Sequence, residues 1–267
     1  MKCKKQLVLF SSLLVFSFSL FAQSNLEFYT GISAARFKNS SLRTTMKSYE
    51  NYFKNNGEPN ITIKTTNWNR EYCYGLNYLL DHDGVELYIF GFQHSNISNE
   101  QIATLSTGKR HFKSTQIGDI LYFGIKKDNG ISYKGGLGYT TCILESSFEY
   151  PNGIRSLGIE RLANGVYVSR SNMSLNAEFT YQKVFFMHLG VEAGLALYGS
   201  LAGEYRDNNK GKFENSGGLN HRIIPQDFEA AQTAINAGDG YYGKTLNGSY
   251  YSAGLIFKIS YLLIEQY

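Results

Sequence analysis

The stretch SAGLIFKISYLLIEQY, residues 252–267, decides the fold. Taken every second residue, one face reads Ala253, Leu255, Phe257, Ile259, Tyr261, Leu263 and finally Tyr267. The other carries Ser252, Gly254, Lys258, Ser260 and Gln266, broken only by Ile256, Leu262 and Ile264. Successive side chains of a strand point to opposite sides, so this alternation predicts a β-strand with one greasy and one mostly polar face. Chain ends of soluble domains usually fray, so an aromatic residue closing such a strand suggests that the terminus itself has a task. Two architectures take a strand of this kind: the last strand of a soluble β-sandwich, or the wall of a barrel whose apolar face meets lipid.

The opposite end of the chain bears on the compartment. Lys2, Lys4 and Lys5 precede an apolar run, 7–21, and Ala22 offers a small residue before Gln23. That is the layout of a secretory signal peptide, here residues 1–22, although Leu20 stands where a small residue is usual. The run is short for a spanning helix and is interrupted by serines. Three units of the formal charge of +4 sit on those lysines, so the chain after residue 22 carries +1. That balance gives no reason to expect a nucleic-acid partner. Beyond residue 22 only Cys73 and Cys142 remain, which excludes a disulfide-stapled secreted module. Twenty-one Tyr against 3 Pro suits long strands, and abundant tyrosine suits a polar–apolar boundary.

Between the two ends the alternation recurs. Residues 25–36 set Leu26, Phe28, Thr30, Ile32 and Ala34 against Glu27, Tyr29, Gly31, Ser33 and Ala35. A short surface helix is expected after Ser40 and Ser41, where Leu42, Met46, Tyr49 and Phe53 fall at helical spacing. Strands are expected at 68–80, 85–94, 114–126, 131–144, 169–181 and 185–201, with 95–113 as a polar loop. The third and fourth of the eight have no clear facing. Asn164-Gly165 has the chemistry of a hairpin turn, and 225–237 opens on Pro225 and carries early acids, as a short helix would.

Eight strands result, and their connections alternate long and short. The short ones are 81–84, 127–130 and 182–184, so every long loop falls on one rim. The fold expected is all-β: a transmembrane up-and-down antiparallel β-barrel of eight strands, with long external loops that carry short helices. Ten strands remain the alternative count. A soluble barrel buries its apolar face inward, whereas here one face of several strands is polar and rich in glycine, as a lumen tolerates.

Signal peptide, strand rhythm and terminal aromatic together resemble the eight-stranded OmpA/OmpX-type outer-membrane β-barrel family over residues 23–267, without the periplasmic cell-wall-binding domain of the longer members. The resemblance implies an outer-membrane location, contact with outer-membrane lipid and a monomeric state. It also implies a closing segment read by the barrel-assembly machinery, here Phe257, Tyr261 and Tyr267. Functions within such a family range over adhesion, envelope integrity, narrow pores and lipid chemistry, so fold alone does not choose.

Candidate chemistry is sparse. Asp81-His82-Asp83 has metal-ligand residue types but lies in a tight turn that Asp and Gly explain, and Asp207, Asn209 and Gly211 match a calcium loop poorly. None of His82, His94, His111, His188 or His221 is followed two places on by Ser, the pair of barrel deacylases. No catalytic residue, metal or cofactor is therefore expected. Parity instead collects Glu27, Glu71, Lys134, Glu178, His188, Glu192 and Lys258 on the lumen side. Charges in a lipid-jacketed tube are costly unpaired, so Lys134 is expected with Glu178 and Lys258 with Glu192, neighbours on adjacent strands. Cys73 and Cys142 lie on nearly opposite strands and are expected as free thiols. The expected function is a non-enzymatic outer-membrane barrel whose long extracellular loops bind an unidentified ligand or reinforce the envelope. A narrow solute pore is the alternative, and a lipid-modifying enzyme comes third.

Overall fold

The computed structural model describes residues 24–65, 68–82, 85–156, 165–186, 188–207, 224–237 and 243–264. Eight long strands form the wall: β1 (Ser24–Lys38), β3 (Trp68–His82), β4 (Val85–Leu105), β5 (Gly108–Lys127), β6 (Ile131–Glu149), β8 (Gly165–Phe185), β9 (Leu189–Leu201) and β11 (Tyr250–Ile264). Each pairs antiparallel with the next, and β11 pairs with β1 from Asn25↔Ile264 to Lys38↔Tyr251, so the sheet closes without an edge. Closure matters in a membrane, where an unpaired backbone edge would find no water. Three short strands, β2 (Thr62–Thr65), β7 (Arg155–Ser156) and β10 (Arg206–Asp207), join neighbouring long strands, and α1 (Ser40–Asn55) and α2 (Phe228–Asn236) lie at one end.

Burial is inverted relative to a soluble barrel. Phe28, Ile32, Leu121, Phe123, Leu137, Leu175, Leu195, Leu255 and Phe257 are exposed on the outside, while Gln93, Ser132, Asn176, Gln182 and Ser260 are buried within. No helix among the described residues is long and apolar enough to cross a membrane, so crossing falls to the strands. β4, with 21 residues, runs about 70 Å, or roughly 50 Å of height at a ~45° tilt, against an apolar belt about 25 Å tall. The surplus rises above the belt, and there the outward side chains turn polar, as at Asn96, Ser98, Thr104, Lys109 and Lys113.

That surplus corrects one expectation. Residues 95–113 are not a loop; they extend β4 and β5 into a hairpin with Ser106 and Thr107 at its tip. Above the membrane both strand faces can be polar, so hydrophobic alternation fades while the backbone ladder continues. Gly108 (φ 147) ends the tip, in a conformation that glycine adopts freely. A second correction concerns 182–184. β8 continues to Phe185, opposite Leu189, and the turn falls at Phe186 (φ 52), whose carbonyl accepts from His188 N at 2.8 Å. Gln182 is held in the ladder because its amide donates inward to Ser260 at 3.0 Å.

The facing of the third long strand was unreadable because of a bulge. Tyr78 pairs with Phe90 and Leu79 with Tyr88, which leaves Ile89 over, so Ile89 and Phe90 both face lipid. Both expected helices exist with shifted starts. Asn39, not Ser40 or Ser41, caps α1 through Leu42 N at 2.8 Å, and Asp227 caps α2 through Ala230 N at 3.1 Å. Pro225 instead sits in a bridge to Thr245 ahead of α2. The signal-peptide stretch, Asn164, Asp83, Asn209, Gly211, His221 and Tyr267 lie outside the described residues.

Candidate functional site

Four ionisable side chains meet at mid-lumen. The backbone register places Lys134 opposite Glu178 and Lys258 opposite Glu192, yet the shortest ion pairs are exchanged. Lys258 Nζ donates to Glu178 Oε2 at 2.5 Å and Lys134 Nζ to Glu192 Oε1 at 2.8 Å, with Lys134 also 4.0 Å from Glu178. A lysine stem is long compared with the spacing of adjacent strands, so in a narrow barrel its ammonium passes the nearest strand and reaches the next. Each charge thus lies among several partners, and all four side chains are buried.

Tyrosines complete the layer. The Tyr122 hydroxyl donates to Glu178 at 3.1 Å and that of Tyr198 at 3.4 Å, while the Thr180 hydroxyl donates to Glu192. Lys258 lies 4.6 Å over the Tyr29 ring and Lys134 4.7 Å over that of Tyr88. Gly75 makes room for this packing, since a Cβ there would come within 2.6 Å of the Tyr29 hydroxyl. The layer leaves the lumen filled rather than open at this height.

The other residues expected in the lumen divide. Glu27 accepts from Asn77 Nδ2 at 2.8 Å and from Gln182, and Glu71 accepts from Ser33 Oγ at 2.6 Å; both are buried. Neither carboxylate joins an ion pair among the described residues. His188 departs from expectation: it lies exposed in the turn after β8, stacks on Tyr261 at 5.6 Å and sits 2.9 Å from the Leu262 carbonyl. The lengthening of β8 by one turn's worth of residues moved it off the wall. Phe257 and Tyr261 face outward on β11, and Tyr267 lies beyond the described residues. Cys73 and Cys142 are buried free thiols. Asp81 is exposed, and no group of three metal-ligand types is assembled among the described residues.

A second closure, which the sequence reading missed, lies at the outer mouth. Leu42, Met46 and Tyr49 of α1 are buried with Phe112 of β5, Phe148 of β6, Phe228 of α2, and Ile224 and Leu246 beside it. Tyr49 is the hub, its ring centroid 5.0 Å from that of Phe228, 6.0 Å from Phe112 and 4.6 Å from Phe53. Polar bonds fix the cap's two pieces together: Ser41 Oγ accepts from Gln226 Nε2 at 2.6 Å and Asn247 N at 3.0 Å, and Ser48 Oγ accepts from Phe228 N at 2.8 Å. Burial pushes the Tyr205 phenol beneath this cap well above its usual range. At the rim Glu58 accepts from Ser106 Oγ at 2.6 Å and Ser106 N at 3.0 Å, which holds its carboxyl below the ordinary range. The apolar spacing on α1 was the one sequence signal for this cap; its partners come from four distant segments and leave no local pattern.

No family model matches the chain, and no curated protein does. Among solved structures, Ail, the attachment invasion locus protein of Yersinia pestis, in complex with the heparin analogue sucrose octasulfate, is similar at 10% identity and a TM-score of 0.41, covering 90% of this chain and 99% of that one. The outer membrane protein OprG from Pseudomonas aeruginosa has 9% identity and a TM-score of 0.34 over 91% and 97% of the two chains. Neisserial surface protein A has 11% identity and a TM-score of 0.33 over 88% and 96%. Likenesses at these scores decide neither ligand nor activity. The closed ladder and the inverted burial make the chain an eight-stranded β-barrel of the outer-membrane type.

Proposed function

We propose that the protein is a sealed, non-enzymatic barrel that acts through the rigid cap it holds above the outer membrane. The observation that carries this is double closure: a layer of buried Lys134, Glu178, Glu192 and Lys258 at mid-lumen, and an apolar plug centred on Tyr49 at the outer mouth. An eight-stranded barrel has an interior that side chains nearly fill, so a solute path would require both closures to move. The cap, built on strands that rise well above the belt, is then the part available to an extracellular partner or to neighbouring envelope components.

Catalysis has two histidine–carboxylate pairs to recommend it, and of these the His94 pair is the more exposed, since His111 beside Glu100 is buried. His94 Nδ1 lies 2.8 Å from Asp119 Oδ1 on the outward wall, an imidazole oriented by a carboxylate. Its cross-strand neighbours on that face are Tyr72, Tyr74, Leu76, Ile117 and Leu121, which include no serine, threonine or cysteine for such a dyad to activate. The pair reads better as a surface ion pair. Swelling of liposomes that hold the purified protein tests the reading: sugars and amino acids should enter no faster than into empty liposomes. Uptake proportional to protein content would make it a pore.

A further inference from the structure

The outer wall carries an uncompensated cationic patch. Arg36 and Lys38 end β1, Arg70 lies near the start of β3, and all three point outward, away from the lumen. Arg36 is opposite Trp68 and Arg70 opposite Ala34, so the two guanidinium groups are diagonal neighbours on one face. Among the described residues, none of the three cations has an ion pair. Two of them lie over rings instead: Arg36 5.3 Å over Trp68 and Lys38 5.5 Å over Tyr251. Stacking occupies the face of the Arg36 guanidinium and leaves the N–H donors at its edge free to fork onto an oxyanion.

Directly below lies an apolar trough of about 790 Å³ on the lipid side, lined by Ile32, Ala34, Tyr72, Ala193, Leu255 and Phe257, with Arg70 also on its lining. The small outward side chains of Ala34 and Ala193 leave it open, where larger residues would fill it. The wall formed by β4 and β5 differs, because there the outward charges include Asp119 and Glu100, each held by a histidine. Trp68 and Tyr251 mark the height at which aromatic side chains meet headgroups.

We propose that this face of β11, β1 and β3 is a binding site for an outer-leaflet membrane lipid with a phosphorylated headgroup. Phosphate oxygens take the donors of Arg36, Arg70 and Lys38, and acyl chains lie in the trough beneath. Charge complementarity chooses the occupant: three unpaired cations above an apolar groove suit an anionic headgroup on greasy chains, and a zwitterionic lipid would meet them with no net charge to offer. This site goes beyond the sealed-barrel reading and stands whether or not the lumen conducts.

The test is native mass spectrometry of the folded barrel released from detergent containing bisphosphorylated lipid A, phosphatidylglycerol or phosphatidylcholine. The proposal expects one retained lipid A per barrel, little phosphatidylcholine, and at least tenfold less lipid A on an Arg36→Gln, Arg70→Gln variant. Lys113→Gln, on the far wall, should retain lipid A as the parent does. Heat-modifiable gel mobility shows that each variant is folded, and Arg36→Lys with Arg70→Lys should keep part of the binding if folding of the glutamine variant fails. Equal retention of phosphatidylcholine, unchanged retention by the folded Arg36→Gln, Arg70→Gln variant or by a folded Arg36→Gln, Lys38→Gln variant, or displacement of lipid A by millimolar inorganic phosphate would overturn it.

Discussion

Lys258 is the residue whose surroundings say most about the lumen. It is fully buried, with one carboxylate at 2.5 Å and a tyrosine ring beneath it, so truncation strands the Glu178 charge in a dry interior. Removing one partner of a buried pair typically costs about 3–5 kcal/mol. Lys258→Ala should therefore lower the unfolding temperature in detergent. A double-mutant cycle should find a larger coupling of Lys258 with Glu178 than with Glu192, although Glu192 is the residue opposite it in the ladder. Strictly additive losses for Lys258 and Glu178 would mean that the ion pair does not hold the layer together.

Glu58 gives a second residue-scale test, at the rim. Its carboxyl is held low by the Ser106 hydroxyl and amide, so its contribution to fastening the rim is complete above the ordinary carboxylate pKa of about 4.3 and is lost as pH falls through the lower, folded value. The Ser106 amide resonance should titrate with a midpoint below that ordinary value, and Ser106→Ala should raise the midpoint. A midpoint at or above the ordinary value would remove the bond from the account. Parity speaks at the residue scale only to which side chains are covered: Glu27, Glu71, Lys134, Glu178, Glu192 and Lys258 are all buried. Which lysine meets which carboxylate was not legible in the sequence, because side-chain reach, rather than strand adjacency, chooses the partner. His188 was misplaced for a different reason, since a turn only a few residues off converts a wall position into a loop.

Strands were legible where lipid enforces alternation and illegible where it does not. β1, β3, β6 and β11 show their faces plainly, while β4 hides its facing behind the bulge at Ile89 and its upper half behind a polar surface on both sides. The cap elements were harder still: α1 declares an apolar stripe, but nothing nearby says that Phe112, Phe148 and Phe228 receive it. Because the cap is joined to the wall largely through its own core, it should open as a unit. Phe228→Ala, which removes about 3–5 kcal/mol of packing for a buried ring, should expose the 224–237 segment to protease while the barrel keeps its heat-modifiable mobility. Loss of both together would make cap and wall one cooperative unit. The closing strand carries its own expectation: β11 pairs with β1 along its length, and we expect Tyr267 to be needed for that closure in the cell. Deleting Tyr267 should reduce the amount of folded protein in the outer membrane, and normal levels would contradict the assignment.

At the scale of the whole molecule, the barrel spends its interior on closure and its height on display. Lipid faces a belt of exposed apolar side chains, the lumen holds charges that neutralise one another, and strands of up to 21 residues lift a packed cap clear of the membrane. The two closures are independent, because one rests on ion pairs between β6, β8, β9 and β11 and the other on α1, α2 and the upper strands. Removing the cap alone should therefore not open a path. Single-channel recording in planar bilayers, on the intact protein and on the Phe228→Ala variant, tests this most directly. The account predicts silence from both; discrete steps in the nanosiemens range from the intact protein would contradict it.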